Sequence, residues 1–443
     1  MNAGPGGWLT RILDNHKALV AGIAAAAVLA AVAVSAGDML RYAGFDLRPK
    51  VLGARALLLG LDPYLAETLR WTAETPPALT DPETVFYAGT GLSRVTYPPS
   101  LLLIYLPFAE LPYPFQRALW WALEWAAMLG AIAALAASIQ DARARLAFVA
   151  AAAVFFCGSW FWRWHAERGQ YYVFLVLLVG LDLMALRALG RRPAWLGAPI
   201  GVAVAFRPTL VVMLPLLWLM RERRAAAVGA IATAAVLAAT LPFAGLAEWR
   251  HYFGNAATMA EQVAGAGQSF LSVILPAPEG ASYSIEGYDF RHAQELPAQH
   301  TLNLTACGLF RHPFCLTVSR ALAALVPLAA AGAVLWLRAA RAPRDLLLLI
   351  LVSVPVLLDY AVPMRWSYAD VVFLPMLAIL VPAVLVRRTP LGAALLAAGL
   401  LSCLPVFESG PASVLRQALF LGAAGAVSLS MFGARRPRAT GPA

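Results

Sequence analysis

The sequence predicts an all-α integral membrane protein with about 12 transmembrane helices and two long external loops. Three observations carry this expectation. Of the 443 residues, 61% are hydrophobic and only 13% are charged, whereas an average soluble domain carries roughly 25% charged residues. Apolar runs such as Ala18–Ala36, Leu146–Phe161 and Ala321–Leu337 approach the length a helix needs to cross the hydrocarbon core. The basic residues fall in short gaps between these runs, as the positive-inside rule expects. Their Ala, Leu and Val content favours helix, and no alternating pattern suggests a barrel strand. The net charge of +10 belongs to those gaps, so nucleic acid is not an expected partner.

Taken in order, the elements are as follows. The first apolar run follows the short polar segment Asn2–Lys17 and has no clear small-residue cleavage site behind it. It reads as a retained helix rather than a signal peptide. Crossings are expected near 17–37, 115–139, 146–162, 171–188, 193–206, 208–220, 225–243, 317–337, 345–361, 367–386, 391–406 and 412–432. Cytoplasmic gaps then hold Arg11 and Lys17, Arg143 and Arg145, Arg187 with Arg191 and Arg192, Arg221 to Arg224, Arg338 to Arg344, Arg387 with Arg388, and Arg435 to Arg438, with both termini inside. Two segments strain this count. Residues 99–112 are apolar but short and proline-rich, a re-entrant piece or a short crossing. Residues 193–220 are split at Arg207-Pro208, a broken helix or two short ones. Counting the first as a crossing and the second as one helix also gives twelve, but it puts Arg191 and Arg192 outside.

The whole chain, 1–443, reads as one transmembrane domain with long external loops at 38–96 and 248–313. Loops beyond roughly 12–15 residues tend to be functional or disordered. Val51–Leu59 is too short to span and fits an interfacial helix. Cys157 and Cys403 sit in apolar helices as packing residues; Cys307 and Cys315 form either an external disulfide or two free thiols.

Candidate chemistry begins in the first loop. Asp46 lies just beyond the first helix, with Arg48 and Lys50 close behind to favour its ionised form. Such a carboxylate can accept a proton from a hydroxyl nucleophile. Local chemistry alone also fits an ordinary loop aspartate beside two solvated bases. Arg207 sits at a helix break, where a charge at membrane depth marks a functional position or a snorkelling side chain. Arg163, His165, Arg168 and Gln170 cluster on what reads as a short outer turn. Asp359 and Asp370 flank another outer turn with Arg365 and Trp366, whose indole suits a sugar ring. Glu124 is mid-helix among Trp120, Trp121 and Trp125, and Asp182 reads as structural. No phosphate loop, His-Glu-x-x-His or Cys-x-x-Cys motif is present. His251, His292, His300 and His312 read as loop residues without metal-ligand spacing, so neither a metal nor another cofactor is expected.

The stretch from Asp46 through Gly60 to Asp62-Pro63-Tyr64 resembles the first-loop signature of the polyprenol-phosphate-mannose-dependent mannosyltransferases of the GT-C superfamily, which include the actinobacterial phosphatidylinositol-mannoside enzymes. Tyr97-Pro98-Pro99, Gly169-Gln170, Phe206-Arg207-Pro208 and Gln268-Ser269 resemble further elements of that family in the same order, over roughly residues 35–380. Gly267 replaces a usual Asn, and Arg365-Trp366-Ser367-Tyr368-Ala369-Asp370 keeps the Trp of a late motif but lacks its two His.

The resemblance implies a GT-C helical bundle in the bacterial cytoplasmic (inner) membrane with its site facing the periplasm or exterior. A sugar, mannose first, would pass from a polyprenyl monophosphate to a hydroxyl of a glycolipid or glycan, with inversion and Asp46 as general base. Arg207, Arg163, His165, Arg168 and Gln170 would bind the donor phosphate. Lys50, Tyr64, Tyr97, Gln268, Trp366, Tyr368 and Asp370 would bind substrate. The competing readings are a polysaccharide polymerase, which would not depend on Asp46, and a lipid-linked saccharide transporter. The latter calls for a second broken segment that the sequence does not show.

Overall fold

A computed structural model describes residues 15–41, 46–65, 95, 97–187, 193–265, 284–285, 288–289, 314–361, 367–387, 389–404 and 410–433. The chain is helical throughout these residues, apart from a two-residue antiparallel ladder, Ser284–Ile285 with Tyr288–Asp289. Helix α1 is Lys17–Arg41, α2 is Arg48–Leu58 and α3 is Pro99–Leu102, which runs on as a 3-10 turn over Leu103–Phe108. Then come α4 (Tyr113–Ala137), α5 (Ala142–Cys157), α6 (Trp160–Arg168), α7 (Tyr172–Arg187) and α8 (Ala198–Phe206). A 3-10 turn at Pro208–Val212 leads into α9 (Met213–Leu219), α10 (Arg223–Thr240) and α11 (Leu246–Gly265). The second half is α12 (Phe314–Ala339), α13 (Arg344–Asp359), a 3-10 turn at Ser367–Phe373, α14 (Leu374–Arg387), α15 (Pro390–Leu401) and α16 (Gly410–Gly433).

Among the described residues, six helical segments are long and apolar enough to cross a membrane, and a seventh is added if the bent pair α5–α6 is one span. The expected dozen also counted the shorter pieces, such as Pro208–Leu219 and Pro390–Leu401, as spans. The α5–α6 bend of 64° falls at Gly158–Ser159, where Ser159 accepts from the Trp162 amide and starts a new helix. The polar stretch 163–168, expected as an outer turn, is therefore a helix. Residues 246–265, expected within a loop, are helical as well. Leu19, Ile23 and Leu29 on α1, with Leu325 and Leu328 on α12, are exposed, as lipid-facing side chains are.

One face of the bundle gathers the basic helix ends. Arg187 donates to Asp345 Oδ1 (2.8 Å) and to the Ala378 carbonyl (3.0 Å), and Arg344 donates to Glu222 (2.7 Å). Helices α7 and α13 both run between this face and the opposite one, where Tyr172 and Asp359 lie. Sixteen residues at 1.5 Å each put the two faces about 24 Å apart. Cys315, at the start of α12 on the opposite face, is disulfide-bonded, while Cys157 and Cys403 are free. Cys307, its expected partner, lies outside the described residues.

Helix α8 runs parallel to α10 in very close contact. A Cβ on Gly197 would lie 1.9 Å from the Ala225 carbonyl oxygen, and one on Gly201 would lie 2.1 Å from that of Gly229. Small residues permit this approach, as in other membrane helix pairs. Asp182 on α7 accepts from the amides of Gly197 (2.7 Å) and Ile200 (2.8 Å), capping α8 from the side. This is the structural role expected for Asp182. Replacing Gly201 with Val should force α8 off α10 and cost about 1–3 kcal/mol or more. A lowered unfolding midpoint in detergent, by thermal shift, is the expected result.

Candidate functional site

The site is built where the start of α2 meets the turn between α6 and α7. One backbone bond and a lysine side chain join them. The Asp46 amide donates to the Arg168 carbonyl (3.0 Å), and Lys50 Nζ donates to the carbonyls of Asp46 (2.6 Å) and Gly169 (3.1 Å). Gly169 closes α6 in the left-handed region at φ +70°, and a Cβ there would lie 2.6 Å from Leu47 Cβ. Only glycine meets both demands without strain. Lys50 is fully buried, and burial pushes its ammonium down to about 7, against the opposing pull of Asp46. A neutral amine still carries two N–H groups, enough for both carbonyls.

This joint presents the Asp46 carboxylate to Arg168 and Gln170. Arg168 donates through Nε and Nη2, the latter at 3.2 Å, and Gln170 Nε2 donates to the same carboxylate. Burial raises the Asp46 pKa. The adjoining Arg168 charge and its hydrogen bond, together with Lys50 and Gln170, outweigh that and hold it below the ordinary carboxylate value. Asp46 is therefore an anion at neutral pH.

An aromatic array continues from this joint. Lys50 Nζ sits 4.6 Å from the Tyr97 ring centroid, and Tyr97 meets Tyr171 edge-on at 6.0 Å. Tyr171 stacks on Tyr172 at 4.7 Å, and the Arg207 guanidinium lies 4.7 Å over the Tyr172 ring. Pro208 explains the placement of Arg207. It ends α8 and leaves residue 207 extended, at φ −140° and ψ 93°, so the side chain leaves at the helix tip. Arg207 donates to Asp359 through Nη2 and to Thr209 Oγ1 (3.2 Å) through Nε.

A wall that sequence reasoning missed closes another side. On α11, His251 pairs with Asp62 (2.5 Å) and Asn255 Nδ2 donates to the Tyr64 carbonyl (2.6 Å). Tyr252 packs on Tyr64 at 5.9 Å, and the Tyr64 hydroxyl donates to the Tyr97 carbonyl (2.8 Å). His251, expected as a loop residue, is thus a helix residue bound to the Asp-Pro-Tyr segment. The mixed polar and aromatic run 246–255 offered no hydropathy signal for this helix.

The other candidates fall in different places. Arg163 pairs with Asp38 at the end of α1 (2.8 Å through Nη2) and lies over Trp160. His165 is fully buried. Its Nε2 accepts from the Val173 amide (3.3 Å), and its Nδ1 faces Glu124 Oε1 at 3.0 Å. It braces the α6–α7 turn from within rather than facing a ligand. Lys50 and Tyr64, expected as substrate contacts, are likewise buried. Asp370 is buried away from the array, accepting from Arg416 Nη2 (2.8 Å) and Gln417 Nε2 (2.9 Å) of α16. Gln268 and Trp366 lie outside the described residues, and of Tyr368 only the backbone is described. Among the described residues, no group of three His, Cys, Asp or Glu could hold a metal ion.

A family model, glycosyltransferase family 87, matches residues 96–358, more than half of the chain. The matched segment contains Tyr97, Arg168, Gln170, Arg207 and Tyr252 and begins after Asp46. No curated protein and no solved structure matches the chain.

The joint at Gly169 makes its own prediction. Gly169→Ala should disrupt the 46–50 contact and release α2, at about 1–3 kcal/mol in stability from the clash and left-handed strain together. Hydrogen–deuterium exchange should show faster exchange of the Asp46 and Val51 amides, with α15 and α16 unchanged.

Proposed function

The chain belongs to glycosyltransferase family 87, a membrane glycosyltransferase family of the GT-C type, and from that membership we propose that it moves a sugar, mannose first, from a polyprenyl monophosphate to a hydroxyl of a glycolipid or glycan. The single observation that supports this reading best is an ionised aspartate and a guanidinium at the two ends of one tyrosine array. A glycosyl donor with an anionic leaving group calls for that pairing. The acceptor hydroxyl attacks the anomeric carbon as the bond from that carbon to the phosphate oxygen breaks, inverting the configuration. Asp46 takes the hydroxyl proton, and polyprenyl phosphate departs toward Arg207, which is prepositioned for the growing negative charge. Arg168 and Gln170 orient the base. The tyrosine faces between supply hydroxyls and ring surface for the sugar.

The site lies on the face opposite the basic helix ends. With those ends in the cytoplasm, as the charge rule favours, it opens to the exterior or periplasm of a bacterial inner membrane. The disulfide-bonded state of Cys315 on that face supports the same orientation.

The direct test is sugar transfer by purified protein in nanodiscs, with labelled polyprenyl-phosphate-mannose and a lipid extract as acceptor; glucose and arabinose donors follow. Asp46→Asn, checked for folding, should lose about a hundredfold or more of the rate. Transfer that survives this change would leave the enzyme but remove Asp46 as its base. Arg207→Gln should lower kcat by about 10²–10³.

The pH dependence has a defined sign. Asp46 is active as the anion, and its pKa is held below the ordinary carboxylate value, so activity falls only as pH drops through that depressed value. The acid limb of kcat/KM should therefore lie below the ordinary carboxylate range. In Arg168→Gln the largest lowering influence is gone while burial remains, so the limb should move upward. A limb that stays in place would show that Asp46 is not the group being titrated.

A further inference from the structure

We infer that Glu124 and His165 form a buried clamp that positions Gln170 against Asp46, with His165 held as its Nδ1–H tautomer and Glu124 accepting from Nδ1. The part this clamp plays in catalysis rests on the reading above; the clamp itself does not.

The surroundings of the imidazole fix its tautomer. Nε2 accepts from the Val173 amide at 3.3 Å, so it carries no proton. An imidazolium is excluded by the same amide, which would point its N–H at an Nε2–H. The ring therefore holds its proton on Nδ1, and Nδ1 faces Glu124 Oε1 at 3.0 Å. Both side chains are fully buried, so water does not compete for either nitrogen. Trp162 stacks on the imidazole at 5.2 Å and holds its plane, and Trp125 closes on Trp162 edge-on at 5.1 Å.

His165 also closes the turn that carries the site. The Val173 amide is one of the orphan donors at the start of α7, so the imidazole caps that helix. The His165 carbonyl accepts from the Gln170 amide at 3.1 Å. His165 thus holds Gln170 through its backbone and the residue three positions further on through its ring. The Gln170 side chain donates to the Asp46 carboxylate, and the Arg168 carbonyl in the same turn accepts from the Asp46 amide. Glu124 comes from the membrane-spanning helix α4, where an ionisable side chain marks a functional position by default. Its task on this inference is to aim the ring, and through the ring the partner of the base. Both are positioning residues, since neither touches the reacting atoms.

The test uses the full chain in nanodiscs with isotope-labelled histidine. Solid-state NMR separates Nδ1 from Nε2 by their carbon neighbours and shows which one bears the proton. The His165 signals are those lost in His165→Asn. Wild type should show Nδ1–H, the form less common in water. Glu124→Gln keeps an acceptor oxygen and should keep both that tautomer and a kcat close to wild type. Glu124→Leu removes the acceptor, so His165 should turn to the Nε2–H form. Its kcat should fall about tenfold with the donor KM little changed, because a misplaced group slows the chemistry and leaves binding.

Nε2–H at His165 in the wild type would overturn the clamp and leave the functional reading standing. Equal losses of kcat in Glu124→Gln and Glu124→Leu would overturn Glu124 as the acceptor, as would Nδ1–H persisting in Glu124→Leu. The spectra of wild type and Glu124→Gln decide the tautomer even if Glu124→Leu does not fold. Absence of transfer by a wild type that shows Nδ1–H would remove the functional reading and leave the clamp in place.

Discussion

Lys50 reaches into the core to bind two carbonyls, and the rest of the site takes its place from that contact. One carbonyl belongs to the residue that carries the acid and the other to the turn that carries its partners. The amino group is stripped of water, which is unfavourable unless polar atoms replace the solvent. Here the two carbonyls and the Tyr97 ring face do so. The contact fixes the spacing of Asp46, Arg168 and Gln170 without using any of their side chains, which bond to one another instead. It also sets Tyr97 at the head of the aromatic array.

The same economy governs other charges that the fold takes out of water. Arg207 is matched by Asp359, and Asp370 by Arg416 and Gln417. Each pairing joins segments far apart in sequence. Removing one member of a buried pair leaves the other uncompensated, at about 3–5 kcal/mol. The pairs differ in what surrounds them. Asp370 is sealed beneath α16 and staples the C-terminal helix to the bundle. Arg207 sits against an aromatic face at a helix tip, with one nitrogen free of hydrogen bonds among the described residues. That contrast distinguishes the two pairs more sharply than the presence of a charge in an apolar run.

The fold was largely legible in the sequence because the signals were local. Apolar run length located α1, α10 and α12, and the Arg207-Pro208 pair marked the break that the structure shows. The meeting of Asp46 with Gly169 and Gln170, and the helix break at Arg207, involve elements that the resemblance had already set in order along the chain. What was not legible depended on tertiary neighbours. His165 read as a site residue because it lay two positions from Arg163, yet the bend at Ser159 begins a helix and turns its ring inward to Glu124. Asp370 was placed beside substrate because it flanks the turn that carries Arg365 and Trp366, whereas Arg416 and Gln417, more than 40 residues away, bury it. Helix α11 has a mixed surface with Glu248, Arg250 and His251 in its first turns, so length and hydropathy gave it no signal. Only contact with Asp62 and Tyr64 identifies its inner face.

The length of α8 has a consequence for how the reaction avoids water. Gly201 lies level with Gly229, and Arg207 is six residues further along, which is about 9 Å. Helix α10 continues to Thr240, about 16 Å beyond Gly229. The backbone at Arg207 therefore lies about 7 Å short of the end of its neighbouring helix. On the proposed reading, an anion bound by Arg207 would lie beside α10 rather than beyond its end, where the attraction between unlike charges is stronger than in bulk solvent. A tethered alcohol would there compete with fewer water molecules for the activated carbon. In that reading the early proline that halts α8 bears on whether a donor is transferred or hydrolysed.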